Sequence, residues 1–291
     1  ADDEKDLIRE KFMKLYVTRD FYVIYSQFLK ENGYKGLPRV SYEKRKLKYE
    51  DVYPVLYLKY RLQSQQGRSN IKHLVVDEMQ DYSRLQYEII QRIFSCRMTI
   101  LGDRAQTMDD KQQDVLTFLP KIFGRDIHKI IMNKSYRNTI EIASYANKLA
   151  GIKDMELFER HGAPVEEKIF ADVEKAAQEI AEVLKLGEEE YETAAVVLRT
   201  EKEAEKMWLI LKELLGEKGF DVKECLSYLD RNSTNFKKGL TVTTFYLAKG
   251  LEFDQVFATF PQEDQSPLTR QARYIAATRA LHELHMYEIQ K

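Results

Sequence analysis

The sequence predicts an α/β protein built from two units, each a parallel β-sheet with helices packed against it. From about residue 71 onward, short apolar strands alternate with amphipathic helices, and strand, helix and strand recur within about 30 residues. The chain has 291 residues, which corresponds to about two domains, and 44% of them are hydrophobic. This composition excludes disorder, collagen and coiled-coil arrays.

The first 70 residues are predicted to form a helical segment that leads into the first unit. Apolar residues at helical spacing predict a helix over residues 5–32, which Gly33 ends, and a tyrosine-rich helix is expected over residues 51–62. Residues 39–48 between them are basic with interleaved aromatic side chains. A solvated surface is the usual explanation of such a run, and phosphate contact is the alternative.

Residues 71–125 are expected to form the remainder of the first domain. A short buried strand over residues 73–77 ends in carboxylates, and a capping box formed by Ser83 and Gln86 opens the helix that follows. The next strand is expected over residues 98–101. The chain is expected to divide into its two units near residues 110–126.

Residues 126–291 are expected to form the second domain, in which the same alternation restarts. Strands are predicted over residues 127–132, 165–170, 194–198, 240–245 and 255–260. Helices are predicted to begin at Asn138, as the cap of a helix with Glu141 in its first turn, at Asp172 and at Thr200, and to span residues 271–284.

Composition narrows the class of protein further. No apolar stretch approaches the roughly 18 residues of a membrane span, and the two cysteines, Cys96 and Cys225, favour a reducing cytoplasm. The net charge is −1, which excludes a polybasic tail. Residues 1–70 are basic, with 15 basic against 10 acidic residues, and residues 154–192 are acidic, with 13 acidic against 4 basic residues.

The carboxylates that follow the strand of residues 73–77 are the sharpest chemical signal. Ligands of open parallel sheets bind at the carboxyl ends of strands, where Asp77 and Glu78 are expected. An aspartate there can hold Mg²⁺ through water, and an adjacent glutamate can deprotonate the water that attacks a phosphate. The alternative is an acidic cluster that stabilises a helix N-terminus.

Five blocks follow one another in a fixed order along the chain, namely Asp77–Asp81, Gly102–Gln106, Ser135–Thr139, Thr241–Phe253 and Tyr274–Ala280. Together they resemble motifs II to VI of superfamily 1 helicases of the UvrD/Rep type, and the resemblance is strong from about residue 71 to residue 285. It implies two RecA-like units of the P-loop NTPase fold, the first incomplete, together with ATP and Mg²⁺.

The resemblance also implies a role for each matching residue. Asp77 would bind Mg²⁺, Glu78 would be the catalytic base, and Gln106 would couple the γ-phosphate to the nucleic-acid track. Arg137 and Arg279 would act as arginine fingers. The remaining residues are assigned to nucleotide binding, namely Asp103, Gly250 and Glu252, and to nucleic-acid contact, namely Thr243, Thr244 and Tyr246.

Several residues of these blocks and their neighbours have simpler explanations. Arg137 could pair with Glu141, and Arg279 with Glu283, one helical turn away in each case. For Lys249 the simpler explanation is a surface cation rather than a phosphate ligand. For Trp208 it is core packing rather than base stacking. A metal clamp could be formed by His282 and His285, although no third ligand is evident.

The chain departs from the UvrD/Rep pattern in four respects. None of its 12 glycines is followed by lysine, so the phosphate-binding loop is absent and is expected in a segment before residue 1. Residues 107–112 lack the aromatic stretch that stacks on bases, and Tyr246 replaces a histidine of the family. The interval between the Ser135–Thr139 block and Thr241 is also too short for the large accessory subdomain of UvrD and Rep. With the tyrosine-rich helix before the carboxylates, the last three of these departures resemble the HelD branch, whose members associate with RNA polymerase.

The expected function is that of the C-terminal part of an ATP-dependent helicase or translocase that remodels nucleic-acid or RNA polymerase complexes. The fragment alone is expected to be inactive, monomeric and cytoplasmic. Its expected partners are single-stranded nucleic acid, with DNA preferred over RNA as the expectation, and RNA polymerase. Acids of the first unit and guanidiniums of the second would converge on one nucleotide. The alternative is a non-catalytic module that binds RNA polymerase. A nuclease built on Asp77, Glu78 and Asp103 is a third hypothesis.

Overall fold

The computed structural model describes residues 18–63, 70–103, 106, 115–124, 126–153, 155–187, 191–233 and 237–290. Its internal contacts divide the chain into two compact units. Unit 1 comprises residues 1–103 and 112–128, and unit 2 comprises residues 104–111 and 129–291. Each unit is described by itself.

Unit 1 begins with two helices, α1 (Phe21–Glu31) and α2 (Tyr49–Leu62). Asp20 caps α1 because its side chain accepts a hydrogen bond from the backbone N–H of Tyr22, so the continuous helix predicted over residues 5–32 is wrong at its middle. Residues 5–17 of that prediction lie outside the described residues. The hydroxyl of Tyr25 donates to Asp51 at 2.9 Å and joins the two helices.

The rest of unit 1 is the predicted βαβ unit. Strands β1 (His73–Val76) and β2 (Arg97–Ile100) pair in parallel, and α3 (Arg84–Ile93) connects them. The predicted capping box of Ser83 is confirmed. Helix α4 (Val115–Phe123) packs on this pair through a small core cluster that includes Tyr87.

The predicted burial of the first strand is wrong for most of β1. Val76 is buried, but Val75 is 58% exposed. The two-stranded sheet receives α3 and α4 on the side of Val76, and the alternate side chains face away from that cluster. A strand that is half covered in this way resembles an apolar, fully buried strand in sequence.

Unit 2 is built on a six-stranded parallel sheet, which a separate parallel pair, β3 (Lys134–Ser135) and β4 (Glu156–Leu157), precedes. The six strands are β5 (Glu166–Phe170), β6 (Thr193–Leu198), β7 (Leu226–Tyr228), β8 (Gly239–Thr244), β9 (Phe253–Pro261) and β10 (Ala280–Ile289). Their order in the sheet is β5-β10-β9-β6-β8-β7. The expected α/β class with parallel sheets is therefore confirmed.

Helices cover both faces of this sheet. Helices α5 (Ile140–Ala150) and α9 (Pro267–Ala277) bury one face, and α6 (Val173–Val183) and α7 (Glu201–Glu217) bury the other. A short helix α8 (Val222–Cys225) precedes β7. The apolar strand β6 contributes alternate residues to both core clusters, as expected for a strand that is buried on both faces. Trp208 packs at the edge of the second cluster, which confirms its core assignment.

Three local predictions for this region are wrong. Residues 127–132 form no strand, and Ile130 is 85% exposed. The helix predicted over residues 271–284 ends at Ala277, and residues 280–289 form β10 between β9 and β5. Strand pairing on both sides decides this segment, although its apolar spacing also fits a helix. The cap of α5 is Thr139, not Asn138.

Within the described residues, no helix is long and apolar enough to cross a lipid bilayer.

Candidate functional site

The carboxylates predicted for catalysis lie at the carboxyl end of β1 in unit 1. Asp77 is exposed, and its Oδ1 accepts a hydrogen bond from the backbone N–H of Glu78 at 2.8 Å. Glu78 has φ 52° and ψ 50°, and it is the one non-glycine residue with a positive φ in the part of the chain that the structure describes. A left-handed glutamate costs backbone energy, so the surrounding contacts must fix this conformation.

Gln80 supplies these contacts and was missed in the sequence. Its side chain is 1% exposed, its Nε2 donates to Oε2 of Glu78 at 2.5 Å, and its Oε1 accepts from the backbone N–H of Asp103 at 3.0 Å. The amide thus joins the end of β1 to the end of β2. Its place in the run Asp77–Asp81, two residues after Glu78, is the signal that could have identified it.

Gly102 explains how the two strand ends come so close. A Cβ at this position would lie 2.4 Å from Oε1 of Gln80 and 2.7 Å from the backbone N of Met79. The N–H of Met79 donates to the carbonyl of Leu101 at 2.8 Å. We call the adjoining carboxyl ends of β1 and β2, residues 77–80 and 101–103, the corner of unit 1. The corner depends on a residue without a side chain at position 102.

The chemistry of this corner suits a hard cation. The exposed carboxylate of Asp77 offers the oxygen ligands that Mg²⁺ prefers, and Mg²⁺ keeps several of its own waters. Among the described residues, no group of three or more histidine, cysteine or acidic side chains could enclose a metal. The described residues of the corner therefore offer carboxylate oxygens to a cation but no complete set of protein ligands.

Gln106 is the remaining predicted residue from the block that follows β2. It is 8% exposed and is described without its immediate neighbours. Its contacts place it in unit 2, whereas Asp103 belongs to unit 1. The predicted common edge for these two side chains stays a prediction.

Unit 2 brings together two side chains from separate blocks. The Nε of Arg137 lies 2.7 Å from Oε1 of Glu252, and both side chains are partly exposed. Glu141, the partner considered in the sequence, instead binds the His161 ring at 2.9 Å and the backbone N–H of Gly162. The hydrogen bond from His161 lowers the pKa of Glu141 to about 2.

The backbone around Arg137 is tied to the start of β10. The guanidinium of Arg160 donates from Nη2 to the carbonyl of Leu281 at 2.8 Å and also to the carbonyl of Arg137. The Nδ2 of Asn138 donates to the carbonyl of Ala280 at 2.6 Å. Ala280 and Leu281 follow Arg279 directly, so the segments that carry the two predicted arginine fingers are held together. Sequence reasoning missed Arg160, which stands in no motif.

Arg279 differs from Arg137 in its surroundings. It is 2% exposed, and its guanidinium donates to the carbonyls of Leu251 and Ile275 at 3.3 Å each and to Oγ1 of Thr278 at 3.1 Å. The alternative pairing with Glu283 does not occur, because Glu283 binds Lys185. In this conformation Arg279 supports the turn before β9 from inside.

The turn that leads into β9 carries Gly250 and Glu252. Gly250 has φ +83°, which favours glycine, although no atom lies within 4 Å of the Cβ position. Glu252 follows two residues later and reaches Arg137. The backbone conformation of Gly250 thus helps to direct the chain from the face of the sheet to the start of β9.

The residues predicted to contact nucleic acid lie elsewhere in unit 2. Thr243 and Thr244 are buried, and Oγ1 of Thr243 donates to the carbonyl of Leu229 at 3.1 Å. The hydroxyl of Tyr246 donates to Oε1 of Glu201 at 2.8 Å, and the Arg231 guanidinium lies 5.7 Å from the centre of the Tyr246 ring. Of the three, Tyr246 is the more accessible.

The strand registers place the residues assigned to the nucleotide and the residues assigned to nucleic acid at opposite ends of the sheet. Thr244 pairs with Leu198, the last residue of β6, whereas Gln255 near the start of β9 pairs with Ala194 near the start of β6. The carboxyl end therefore carries Thr243, Thr244 and Tyr246, and the amino end carries Glu252 and Arg279. The nucleotide and nucleic-acid assignments do not share one edge of this sheet.

The two histidines considered as a metal clamp belong to a buried polar network and its margin. The Nδ1 of His285 lies 3.0 Å from Glu166, and its ring stacks on Phe257 at 4.7 Å between ring centres. Burial lowers the pKa of His285 in spite of the nearby carboxylates. His282 instead stacks on Tyr191 at 5.7 Å.

Comparison with known proteins identifies two matching domains. Residues 3–108 match the UvrD/REP helicase N-terminal domain, and residues 239–287 match the UvrD-like helicase C-terminal domain. The resemblance to superfamily 1 helicases of the UvrD/Rep type is therefore confirmed at the level of both domains. No curated protein matches the chain.

Similar solved structures include two helicases and one domain of a possible helicase, each with a TM-score below 0.5. The C-terminal domain of a possible DNA helicase from Lactobacillus plantarum WCFS1 is 22% identical, with a TM-score of 0.38, over 53% of this chain and 88% of that domain. The PRRSV helicase is 16% identical with a TM-score of 0.42, and Arterivirus nonstructural protein 10 (helicase) is 15% identical with a TM-score of 0.40. They match 76% and 77% of this chain, which spans 36% and 40% of their lengths.

Proposed function

We propose that this chain is part of an ATP-dependent helicase or translocase of the HelD branch, and that it couples ATP hydrolysis to remodelling of nucleic-acid or RNA polymerase complexes. The ion pair of Arg137 with Glu252 carries this proposal, because it joins two blocks that the helicase resemblance assigns to one nucleotide. The two matching helicase domains support it. We expect the protein to be located in the cytoplasm.

In this proposal the corner of unit 1 handles the attacking water and the metal. Mg²⁺, when bound with the nucleotide, neutralises charge on the phosphate oxygens. Asp77 would hold it, and Glu78 would orient and deprotonate the water, with its carboxylate fixed by Gln80. Asp103 would lie beside the nucleotide, because its backbone N–H donates to the Gln80 amide that also holds Glu78.

The guanidinium groups of unit 2 would act on the phosphates of the nucleotide. Arg137 would leave Glu252 for the transferred phosphate, where a planar, permanently charged fork stabilises the transition state. Glu252 and Gly250 would then face the nucleotide. Arg279 would reach the phosphate only after its turn opens, because its guanidinium is buried in the present conformation.

The chain alone is proposed to show negligible ATP turnover. No glycine in it is followed by lysine, so it lacks the loop whose N–H groups and lysine bind the β- and γ-phosphates. A parent protein that carries this chain together with such a loop would be active, as a monomer, on single-stranded nucleic acid.

A second candidate is a non-catalytic module that binds RNA polymerase. The acidic stretch of residues 154–192 favours it, because Glu156, Glu159 and Glu167 are exposed there. Such a surface repels phosphates and suits a basic protein partner. A pull-down with polymerase, compared with single-strand binding at several salt concentrations, would separate the two candidates.

The test of the main proposal is Glu78→Gln in the parent protein. ATP turnover should fall by at least about a hundredfold, while nucleotide affinity should stay within about threefold, since the amide cannot accept the proton. Glu88→Gln is the matched control, because Glu88 pairs with Arg84 on α3 at 3.2 Å. Unchanged turnover in the Glu78 variant would refute the assignment of the base.

A further inference from the structure

The segment between α1 and α2 concentrates positive charge on an open stretch of backbone. Residues 34–49, the basic tyrosine segment, hold six exposed or anchoring cations around one acidic residue, Glu43. A single 3₁₀ turn, Tyr42–Lys44, is their regular structure before α2 begins at Tyr49. The exposed cations are Lys35, Arg39, Lys44, Lys46 and Lys48.

Three tyrosines in this segment are unusually accessible. Tyr34, Tyr42 and Tyr49 are 68%, 78% and 75% exposed. A tyrosine ring is more often partly covered, because its apolar body gains free energy from burial. Three rings that face solvent among five exposed cations therefore need an explanation beyond a solvated surface.

The segment is fixed on α1 by contacts that leave these rings outside. The hydroxyl of Tyr22 donates to the carbonyl of Pro38 at 2.9 Å, and the N–H of Leu37 donates to Oγ of Ser26 at 3.0 Å. The Arg45 guanidinium pairs with Asp20 at 2.7 Å. An anchored segment loses less conformational entropy when a ligand binds than a free loop does.

Arg45 also connects the anchor to the exposed surface. Its guanidinium lies 4.7 Å from the centre of the Tyr22 ring and 5.4 Å from that of Tyr42. Five cations are thus exposed, with the Lys48 ammonium 3.6 Å from Glu50, while Arg45 positions a tyrosine. The surface combines fixed aromatic faces with solvent-exposed lysine ammonium groups.

We propose that residues 34–49 bind single-stranded nucleic acid, with Tyr34, Tyr42 and Tyr49 stacking on bases and the exposed cations contacting phosphates. Sequence-tolerant single-strand surfaces combine these two kinds of group. Residues 107–112 carry no aromatic side chain, so this segment supplies stacking groups that the chain lacks there. The inference deepens the proposed function, on which it rests for the choice of polymer.

The test is the affinity of the whole chain for a fluorescein-labelled single-stranded DNA of about 20 nucleotides, measured by anisotropy between roughly 50 and 200 mM salt. The variant Tyr34→Ser/Tyr42→Ser/Tyr49→Ser should bind at least about tenfold more weakly with an unchanged salt slope. The variant Lys35→Gln/Lys46→Gln/Lys48→Gln should lower the slope of log affinity against log salt by about 2. Replacing the three tyrosines by tryptophan should restore binding.

Two control variants match these changes in chemistry. Phe28→Ser removes an exposed aromatic ring from α1, outside the segment, and Lys153→Gln/Lys202→Gln/Lys223→Gln removes three exposed charges from unit 2. Both controls should bind the labelled strand as the unmodified chain does. Thermal unfolding followed by circular dichroism separates lost binding from lost folding.

Three outcomes would overturn the inference. The unmodified chain could fail to bind the labelled strand at about 100 µM, the weak end of non-specific affinities, or the tyrosine variant could bind it normally. Polyglutamate could also bind with the same salt slope while the tyrosine substitutions change nothing, which would make the segment a general anion or protein surface. ATP turnover of the parent with the tyrosine variant tests the proposed function separately, because the corner of Glu78 is unchanged in that protein.

Discussion

Arg137 and Glu252 form an ion pair, with 2.7 Å between Nε and Oε1, although they belong to blocks far apart in the sequence. The side chains are 45% and 40% exposed. Water screens a pair of this kind, and exposed pairs contribute roughly 0–1 kcal/mol. The pair is therefore better suited to exchange partners than to hold the fold.

We expect Arg137→Gln and Glu252→Gln to change the free energy of unfolding of unit 2 by less than about 1 kcal/mol. Urea unfolding followed by tryptophan fluorescence measures this directly, since Trp208 is the single tryptophan and packs against a core cluster of unit 2. A loss of several kcal/mol would show that the pair is structural, and a change of activity in these variants could then not be interpreted.

Arg279 should behave in the opposite way under the same measurement. Its guanidinium is 2% exposed and donates to two carbonyls and one hydroxyl, so Arg279→Met leaves these acceptors buried without their donor. We expect a loss of about 2–4 kcal/mol in unfolding free energy. A loss as small as that of Arg137→Gln would mean that the turn does not depend on these hydrogen bonds.

Gly102→Ala tests the close contact that shapes the carboxylate corner. The new methyl group would lie 2.7 Å from Met79 N and 2.4 Å from the Gln80 amide oxygen, so the end of β1 must move. We expect unit 1 to lose about 1–3 kcal/mol, with faster hydrogen exchange in peptides that cover residues 73–81. Gly187→Ala is the control, because no atom lies within 4 Å of a Cβ at that position. Gly124→Ala is unsuitable as a control, since Gly124 has φ +93°. Equal exchange in both variants would contradict the account of the corner.

His285 predicts a pH dependence for the stability of unit 2. Burial lowers its pKa from the usual 6.5, so at mildly acidic pH the unfolded chain takes up a proton on this imidazole that the folded unit does not. The folded state therefore loses stability as the pH falls from about 7.5 to about 5.5. The neighbouring Glu166 and Glu283 also have lowered pKa values, so their contribution is lost only at more acidic pH.

Urea unfolding of the His285→Gln variant at about pH 7.5 and about pH 5.5 measures this effect. The difference in unfolding free energy between the two pH values should shrink relative to the unmodified chain. His282→Gln is the control, because His282 is more exposed and lies on the same strand. An unchanged difference in the His285 variant would assign the pH dependence to another group.

The elements that the sequence predicts best are those whose signals are local. The capping boxes of Ser83 and Thr200 and the cap of Asp172 need only neighbouring residues, and all three begin helices as expected. The βαβ alternation likewise predicts the parallel class of both units. Local chemistry of this kind does not depend on the rest of the fold.

The elements that the sequence predicts poorly depend on distant partners. Residues 280–289 become a strand because β9 and β5 pair with them on both sides. Asn138 resembles a helix cap in the sequence, but its side-chain amide donates a hydrogen bond to the carbonyl of Ala280. Gln80 and Arg160 act through contacts with Asp103 and Leu281, which no spacing rule connects.

Arg137 is proposed to act on the transferred phosphate, and kcat of the Arg137→Gln variant in the parent protein measures this role. An arginine that stabilises the transferred phosphate is worth about a 10³-fold or larger factor in kcat. We predict a loss of that size with nucleotide affinity and folding retained, and no loss for Arg270→Gln, a control on the exposed surface of α9. A kcat within about threefold of the unmodified parent would refute a role of Arg137 in phosphate transfer.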